Sequence, residues 1–158
     1  MSSIHTLSTT TWLQQPETVK TGLVISLDNP WLATSPDDKV HDPSATPPYG
    51  LAEYKNPHSA EQLTIPEACQ QLKHFCLEKT ENNTYQLKLK HDYYYQIQCQ
   101  LYYTNTEWCD FVVHTEDIHI ERISRNIMWW DQQLPKLKAF YLMPCCQNLP
   151  ALGMERVE

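Results

Sequence analysis

Basic residues, glycine and long apolar runs are all scarce in this sequence, and each scarcity excludes something. Lysine and arginine number 12 against 19 aspartates and glutamates, giving a formal charge of −7 and a pI near 5.4. That argues against a general nucleic-acid coat, which needs a basic patch to meet phosphates. It leaves room for an enzyme that meets DNA through metal ions held on carboxylates. Only 3 glycines, 11 scattered prolines and no sustained heptads exclude collagen, coiled coil and disulfide miniprotein. No stretch approaches the roughly 20 apolar residues of a membrane helix. The opening MSSIHTLSTTTWLQQP lacks a basic segment followed by an apolar one, so no secretory signal is expected. The 6 cysteines form no CxxC pair and no zinc-finger spacing. They read as reduced, mostly buried thiols, vicinal Cys145-Cys146 included. The 7 histidines show no pair at ligand spacing, which argues against a zinc hydrolase.

What is present suits one soluble, intracellular mixed domain. The chain has 158 residues, 41% hydrophobic and 20% charged, and one domain is expected over 19–150. A loose Ser/Thr-rich lead-in (1–18) precedes it and a short tail (151–158) follows. Val19–Ser26 is β-branched and stops at Asp28-Asn29-Pro30, which predicts a strand. Trp31–Ser35 reads as extended, 38–48 as a polar, Pro-rich loop, and Gly50–Lys55 as a strand. Together these segments predict an antiparallel meander.

Thr64, Pro66 and Glu67 predict a capped helix near 65–77, with Ala68, Leu72, Phe75 and Cys76 as its stripe. Glu81-Asn82-Asn83 reads as a turn, and Asn82-Asn83-Thr84, although a glycosylation sequon, as no more than that turn. A strand is expected at 85–90. Asp92–Thr104 predicts a helix with Tyr93, Gln96, Ile97 and Gln100 on one face; its aromatics leave a strand as the rival. Glu107–His114 and Ile118–Ile123 read as strands. Arg125–Leu142 reads as a helix that Pro135 should kink or restart.

Three short stretches bring the chemistry: Ser35-Pro36-Asp37, Glu53-Tyr54-Lys55, and Tyr93 with Gln96. Residues two apart on a strand share a side, so Glu53 and Lys55 face one space. An Asp37 at the end of the adjacent strand brings its carboxylate toward Glu53. Two carboxylates and the Tyr54 backbone carbonyl suit magnesium, which takes oxygen ligands and keeps several waters. Taken singly, each stretch reads as an ordinary surface ion pair, a turn aspartate or an amphipathic helix.

Taken in order, GLVIS, NPWLATSPDD, PPYGLAEYKNP, HDYYYQIQCQL, EWCDFVVHT, IHIERI and LPKLKAFY resemble another protein family. It is that of phage lambda exonuclease and the YqaJ-like viral recombinase nucleases, a branch of the PD-(D/E)XK, restriction-endonuclease-like fold. The likeness spans Gly22 to Pro150 and implies an α/β fold, a mixed central sheet flanked by helices. By position, it implies Asp37 and Glu53 as metal ligands with the Tyr54 carbonyl, and Lys55 as the catalytic lysine. Gln96 would hold the attacking water or a phosphate oxygen, with Ser35 and Tyr93 on the substrate side. The implied cofactor is Mg2+, with Mn2+ as substitute. The implied substrate is linear duplex DNA entered at a 5′ end, the implied assembly a ring-like trimer, and a further partner an annealing protein.

Two departures accompany the likeness. Asp38 stands where the family has Gly, a place where a left-handed backbone would favour glycine. The family also begins with an acidic helix, and the expectation here is an N-terminally truncated copy whose only early carboxylate is Glu17. Such a protein is expected in the nucleus of a eukaryote, or in the cytoplasm of a bacterium or of a phage host. Two alternatives remain: a nuclease-like module that binds DNA or protein without cutting, and a fragment that needs a partner chain.

Overall fold

A computed structural model describes residues 16–148, with side chains through Tyr141. In chain order the elements are β1 (Glu17–Lys20), β2 (Val24–Ile25), β3 (Ala33–Thr34), β4 (Asp38–His41) and β5 (Tyr49–Lys55). After them come α1 (Ile65–Gln71), β6 (Leu77–Lys79), β7 (Tyr85–Leu87), α2 (Asp92–Thr104), β8 (Trp108–His114), β9 (Ile118–Ser124) and α3 (Ile127–Asn148). Five strands form the central sheet in the order β1-β4-β5-β8-β9. Among the described residues only the β5–β8 pair is parallel, with Glu53 opposite Phe111. This is the mixed α/β class that the sequence leads one to expect.

Periodicity places two sets of side chains on the central strands. One face carries Leu51, Glu53, Cys109, Phe111 and Val113, all buried, and α2 covers it with Ile97 and Leu101. Each fully buried aliphatic side chain there contributes about 1.5–3 kcal/mol. The other face carries the smaller cluster of Val40, Ala52 and Trp108. Gly50 is needed at its edge, because a Cβ there would sit 2.3 Å from the Trp108 ring. The indole Nε1 then donates to the Pro47 carbonyl at 2.8 Å.

Local signals delivered the helices well. Thr64 and Glu67 form a reciprocal capping box on α1, and Asn105 closes α2 in the left-handed conformation, φ 54°. Gln98 ties α2 to the sheet and to α3, donating to the Ser124 carbonyl and accepting from the Asn126 amide. The expected polar turn is the β6–β7 loop, where Asn83 takes φ 63°.

Several expectations are corrected. The single strand at 19–26 is two strands: β1 pairs with β4, whereas β2 pairs with β3 in a separate two-stranded sheet, so no meander forms. The loop expected at 38–48 begins with β4, whose alternation of buried Asp38 and Val40 with exposed Lys39 is hidden by its polar composition. Asp38 opens that strand, and among the described residues only Asn83 and Asn105 have positive φ outside glycine, so glycine is not required there. Helix α1 stops at Gln71, because Leu72 is extended; Phe75 and Cys76 are buried from a turn instead. The strand expected at 85–90 is confined to Tyr85–Leu87 and pairs with β6, which the assumed helix had concealed.

Pro135 does not restart α3, which runs continuously from Ile127 to Asn148. Its exposed ring faces away from the core, and the unbonded carbonyl belongs to exposed Asp131, open to water. The lead-in to residue 15, the tail 151–158 and the side chains of Cys145 and Cys146 lie outside the described residues. No helix among those described is long and apolar enough to cross a membrane.

Candidate active site

Strand β5 supplies the centre of the site. Leu51, Ala52 and Glu53 are buried, but Glu53 alone among them is charged, and only 2% of it is exposed. A carboxylate so placed must find donors, since desolvation without hydrogen bonds is costly. It finds three. Lys55 Nζ donates to Oε1 at 2.5 Å and Gln96 Nε2 to the same oxygen at 2.7 Å. Gln100 Nε2 donates to Oε2 at 2.7 Å. Lys55 also donates to Gln96 Oε1 at 3.1 Å and lies over the Tyr93 ring, 4.6 Å from its centroid. The spacing Tyr93, Gln96, Gln100 puts all three on one stripe of α2, directed at β5.

Asp37 reaches the site from the opposite edge of β5. It immediately precedes β4, whose ladder to β5 ends at the Asp38–Ala52 pair. Its Oδ2 accepts from the Tyr54 amide at 2.8 Å, the peptide group that joins Glu53 to Tyr54. A residue's N–H and C=O leave a strand on the same edge, so the Tyr54 carbonyl points to that side, beyond the last β4 pair. Thr21 Oγ1 donates to the Pro36 carbonyl and fixes the turn that carries Asp37. Ser35 lies exposed in the same turn.

Of the residues singled out in the sequence, Glu53, Lys55, Gln96 and Tyr93 therefore meet in one cluster, and Asp37 joins through the Tyr54 backbone. Ser35 is near in sequence and has no such contact with them. Gln100, on the same helix face, is a further member of the site that the sequence motifs do not single out. Its spacing of four from Gln96 was the available signal. It is fully buried, and its Oε1 has no partner among the described residues. Cys109, below the cluster on β8, is no competing nucleophile: burial first, then nearby Glu53, pushes its thiol well above the ordinary range.

A carboxylate offers about four lone-pair sites. At Glu53 the two on Oε1 are taken and one on Oε2 is free. Asp37 likewise keeps Oδ1. These free oxygen positions, with the Tyr54 carbonyl, are of the kind that a hard divalent cation retaining several waters would take. Among the described residues no group of three or more His, Cys, Asp and Glu gathers, so a closed all-protein cage is not the geometry on offer.

By sequence, no family profile and no curated protein matches the chain. By structure, the chain is similar to an alkaline exonuclease from Laribacter hongkongensis, with a TM-score of 0.58 and 22% identity. The match covers 84% of this chain and 59% of that one. The likeness is one of fold.

Proposed function

We propose that this chain is a metal-dependent deoxyribonuclease of exonuclease type, acting on linear duplex DNA from a 5′ end. The observation that carries the reading is the Glu53–Lys55–Gln96 cluster, flanked by Asp37, in a fold similar to that of an alkaline exonuclease. Asp37, Glu53 and the Tyr54 carbonyl would hold magnesium, with manganese as substitute. Such an ion supplies Lewis-acid polarisation of a phosphoryl oxygen and lowers the pKa of its water.

The remaining steps belong to this chain's own side chains. Lys55 swings its ammonium from Glu53 toward the phosphate, where it positions the attacking water or offsets the charge building on the oxygens. Gln96, already bonded to both Glu53 and Lys55, presents its amide to that water or to a phosphate oxygen. Tyr93 keeps Lys55 over its ring and, with Ser35, contacts the strand. A ring-like trimer and an annealing partner fit the same reading, as consequences of the sequence resemblance.

The test is digestion of a linear duplex in magnesium, beside Asp37→Asn, Glu53→Gln and Lys55→Ala, with metal binding followed by calorimetry. Cutting should vanish in all three, and metal affinity should fall in Asp37→Asn but persist in Lys55→Ala. Cutting that survives in all three would overturn the assignment.

One observation favours a second reading, a nuclease-like module that binds without cutting. Lys55, Gln96 and Gln100 already occupy three positions on Glu53. That reading requires duplex binding in EDTA with no hydrolysis in magnesium or manganese.

A further inference from the structure

A groove beside Tyr93 combines aromatic rings with lysines. Two adjoining cavities, of about 320 and 350 Å3, share Lys73, His74, Phe75 and His91. The first is walled by Leu72, Phe75 and Tyr93. The second opens between Lys88, Lys90 and Asp92. Tyr93 joins this groove to the cluster described above, because the same ring carries Lys55.

The charge is local and uncompensated. Three lysines face one aspartate here, in a chain of formal charge −7. Among the described residues, Lys20, Lys55, Arg122 and Arg125 have carboxylate partners; Lys73, Lys88 and Lys90 have none, like Lys39, Lys79, Lys136 and Lys138, but these three stand together around one groove. Lys88 is held at the rim by donating to the Phe75 carbonyl at 2.6 Å. The lysines come from two separate turns, one before β6 and one before α2, which the fold brings to one groove.

The aromatic wall is equally ordered. His91 and Tyr93 have ring centroids 4.6 Å apart, tilted by 55°. His91 caps α2 by accepting the Tyr93 amide on Nδ1, which requires that nitrogen to be unprotonated. Burial holds its pKa below the ordinary imidazole value, so at pH 7 it is a neutral ring.

An aromatic wall beside a rim of unpaired cations is the makeup of sites that take unstacked bases and their phosphates. We infer that this groove binds a single strand of nucleic acid, with a base against His91 and Tyr93 and its neighbouring phosphates at Lys73, Lys88 and Lys90. A duplex keeps its bases stacked on one another and cannot fill the aromatic part. The inference rests on the nuclease reading only for which strand arrives, namely the one trimmed at Lys55.

Binding is measured by fluorescence anisotropy in EDTA, so hydrolysis plays no part and failure of the nuclease reading is seen separately. The probe is a labelled oligothymidylate of about 12 nucleotides, within the usual range for such sites. Two double reversals change the net charge equally: Lys73→Glu with Lys90→Glu in the groove, and Lys39→Glu with Lys138→Glu outside it. All four lysines are exposed, and thermal unfolding checks that both variants fold. The groove variant should bind at least tenfold more weakly and lose about 0.7 of salt slope per lost phosphate contact. The outer variant should stay within twofold. An abasic strand and a blunt duplex should both bind more weakly than oligothymidylate. Equal losses in the two variants, or equal binding of abasic and normal strands, would overturn the inference.

Discussion

On the face of the sheet turned away from α2, Arg122 donates from Nε and Nη2 to both oxygens of Asp110, each at 2.8 Å. The same Nη2 reaches Asp42 at 3.0 Å, and the guanidinium lies 3.7 Å above the Trp108 ring. These contacts with Asp110 and Asp42 raise the Arg122 pKa beyond its ordinary value. On the covered face, Lys55 makes a single contact with Glu53, and two neutral amides complete the set. Both clusters set one cation against carboxylate, two at Arg122 and one at Lys55, yet only one can give way. The planar fork of Arg122 is held by two carboxylates and an indole face, whereas a lysine is a point charge on a flexible stem, and amides exchange partners cheaply. The first geometry suits holding two strands and a loop together. The second suits a site whose contacts must be traded when substrate arrives.

The sharpest break in this comparison is chemical. Glu53→Gln should lower any magnesium-dependent cleavage rate by at least about 100-fold, the scale for losing a group that acts on the reacting phosphate. Arg122→Lys should leave that rate within about threefold, as read from single-turnover digestion. Parallel loss in both would erase the distinction between the two clusters.

Next comes packing. Gly50→Ala pushes a methyl into the Trp108 ring that Arg122 covers, and an overpacked core position of this kind costs about 1–3 kcal/mol. Thermal unfolding should show a Tm lowered by several degrees. Arg122→Lys itself should cost about 1 kcal/mol or less, because the pair is partly exposed and solvent screens it.

A finer separation concerns Gln100. Gln100→Glu sets a second carboxylate against Oε2 of Glu53 in a fully buried place, whereas Gln100→Leu merely removes a donor. The first should weaken folding more at pH 8 than at pH 5, since protonation relieves the repulsion. Denaturant titrations at the two values read that difference.

The smallest effect belongs to Asp42. Hydrogen bonds from the Ser44 hydroxyl and amide, then Arg122, hold its carboxyl below the ordinary range. A depressed folded-state pKa stabilises the protein above the unfolded value, about 3.9, and that contribution is lost as pH falls through the folded value. Asp42→Asn should therefore lower stability slightly at pH 7, flatten the acid limb, and change little once the pH lies below the folded value, as denaturant titrations across pH would read.

What the sequence disclosed divides along the same line as the clusters. The capping box at Thr64, the helix at Asp92–Thr104 and the strands carrying Glu53 and Phe111 all depend on neighbours in sequence, and all were readable. The stripe of Tyr93, Gln96 and Gln100 was visible as a helix face. That two of its members clamp one carboxylate was not, because the register of α2 over β5 comes from packing. Strand β4 was missed for a different reason. Asp-Asp-Lys-Val-His is polar by composition, and only its place between two strands makes Asp38 and Val40 inward-facing. At 72–76 a helical stripe was present without a helix, since apolar residues in a compact turn can mimic that period.

The parallel pairing of β5 with β8 also bears on how the molecule comes together. Parallel neighbours cannot be joined by a tight turn, so the chain from Asn56 to Glu107, with α1, the β6–β7 hairpin and α2, is the crossover between them. Asp37 and Glu53 can meet early, through the β4–β5 ladder. Gln96 and Gln100 lie 43 and 47 residues from Glu53, inside that crossover, so their contacts carry a larger loop-closure cost than the β4–β5 ladder. The buried carboxylate therefore owes its amide partners to a far longer loop than the one that brings Asp37 to the neighbouring peptide.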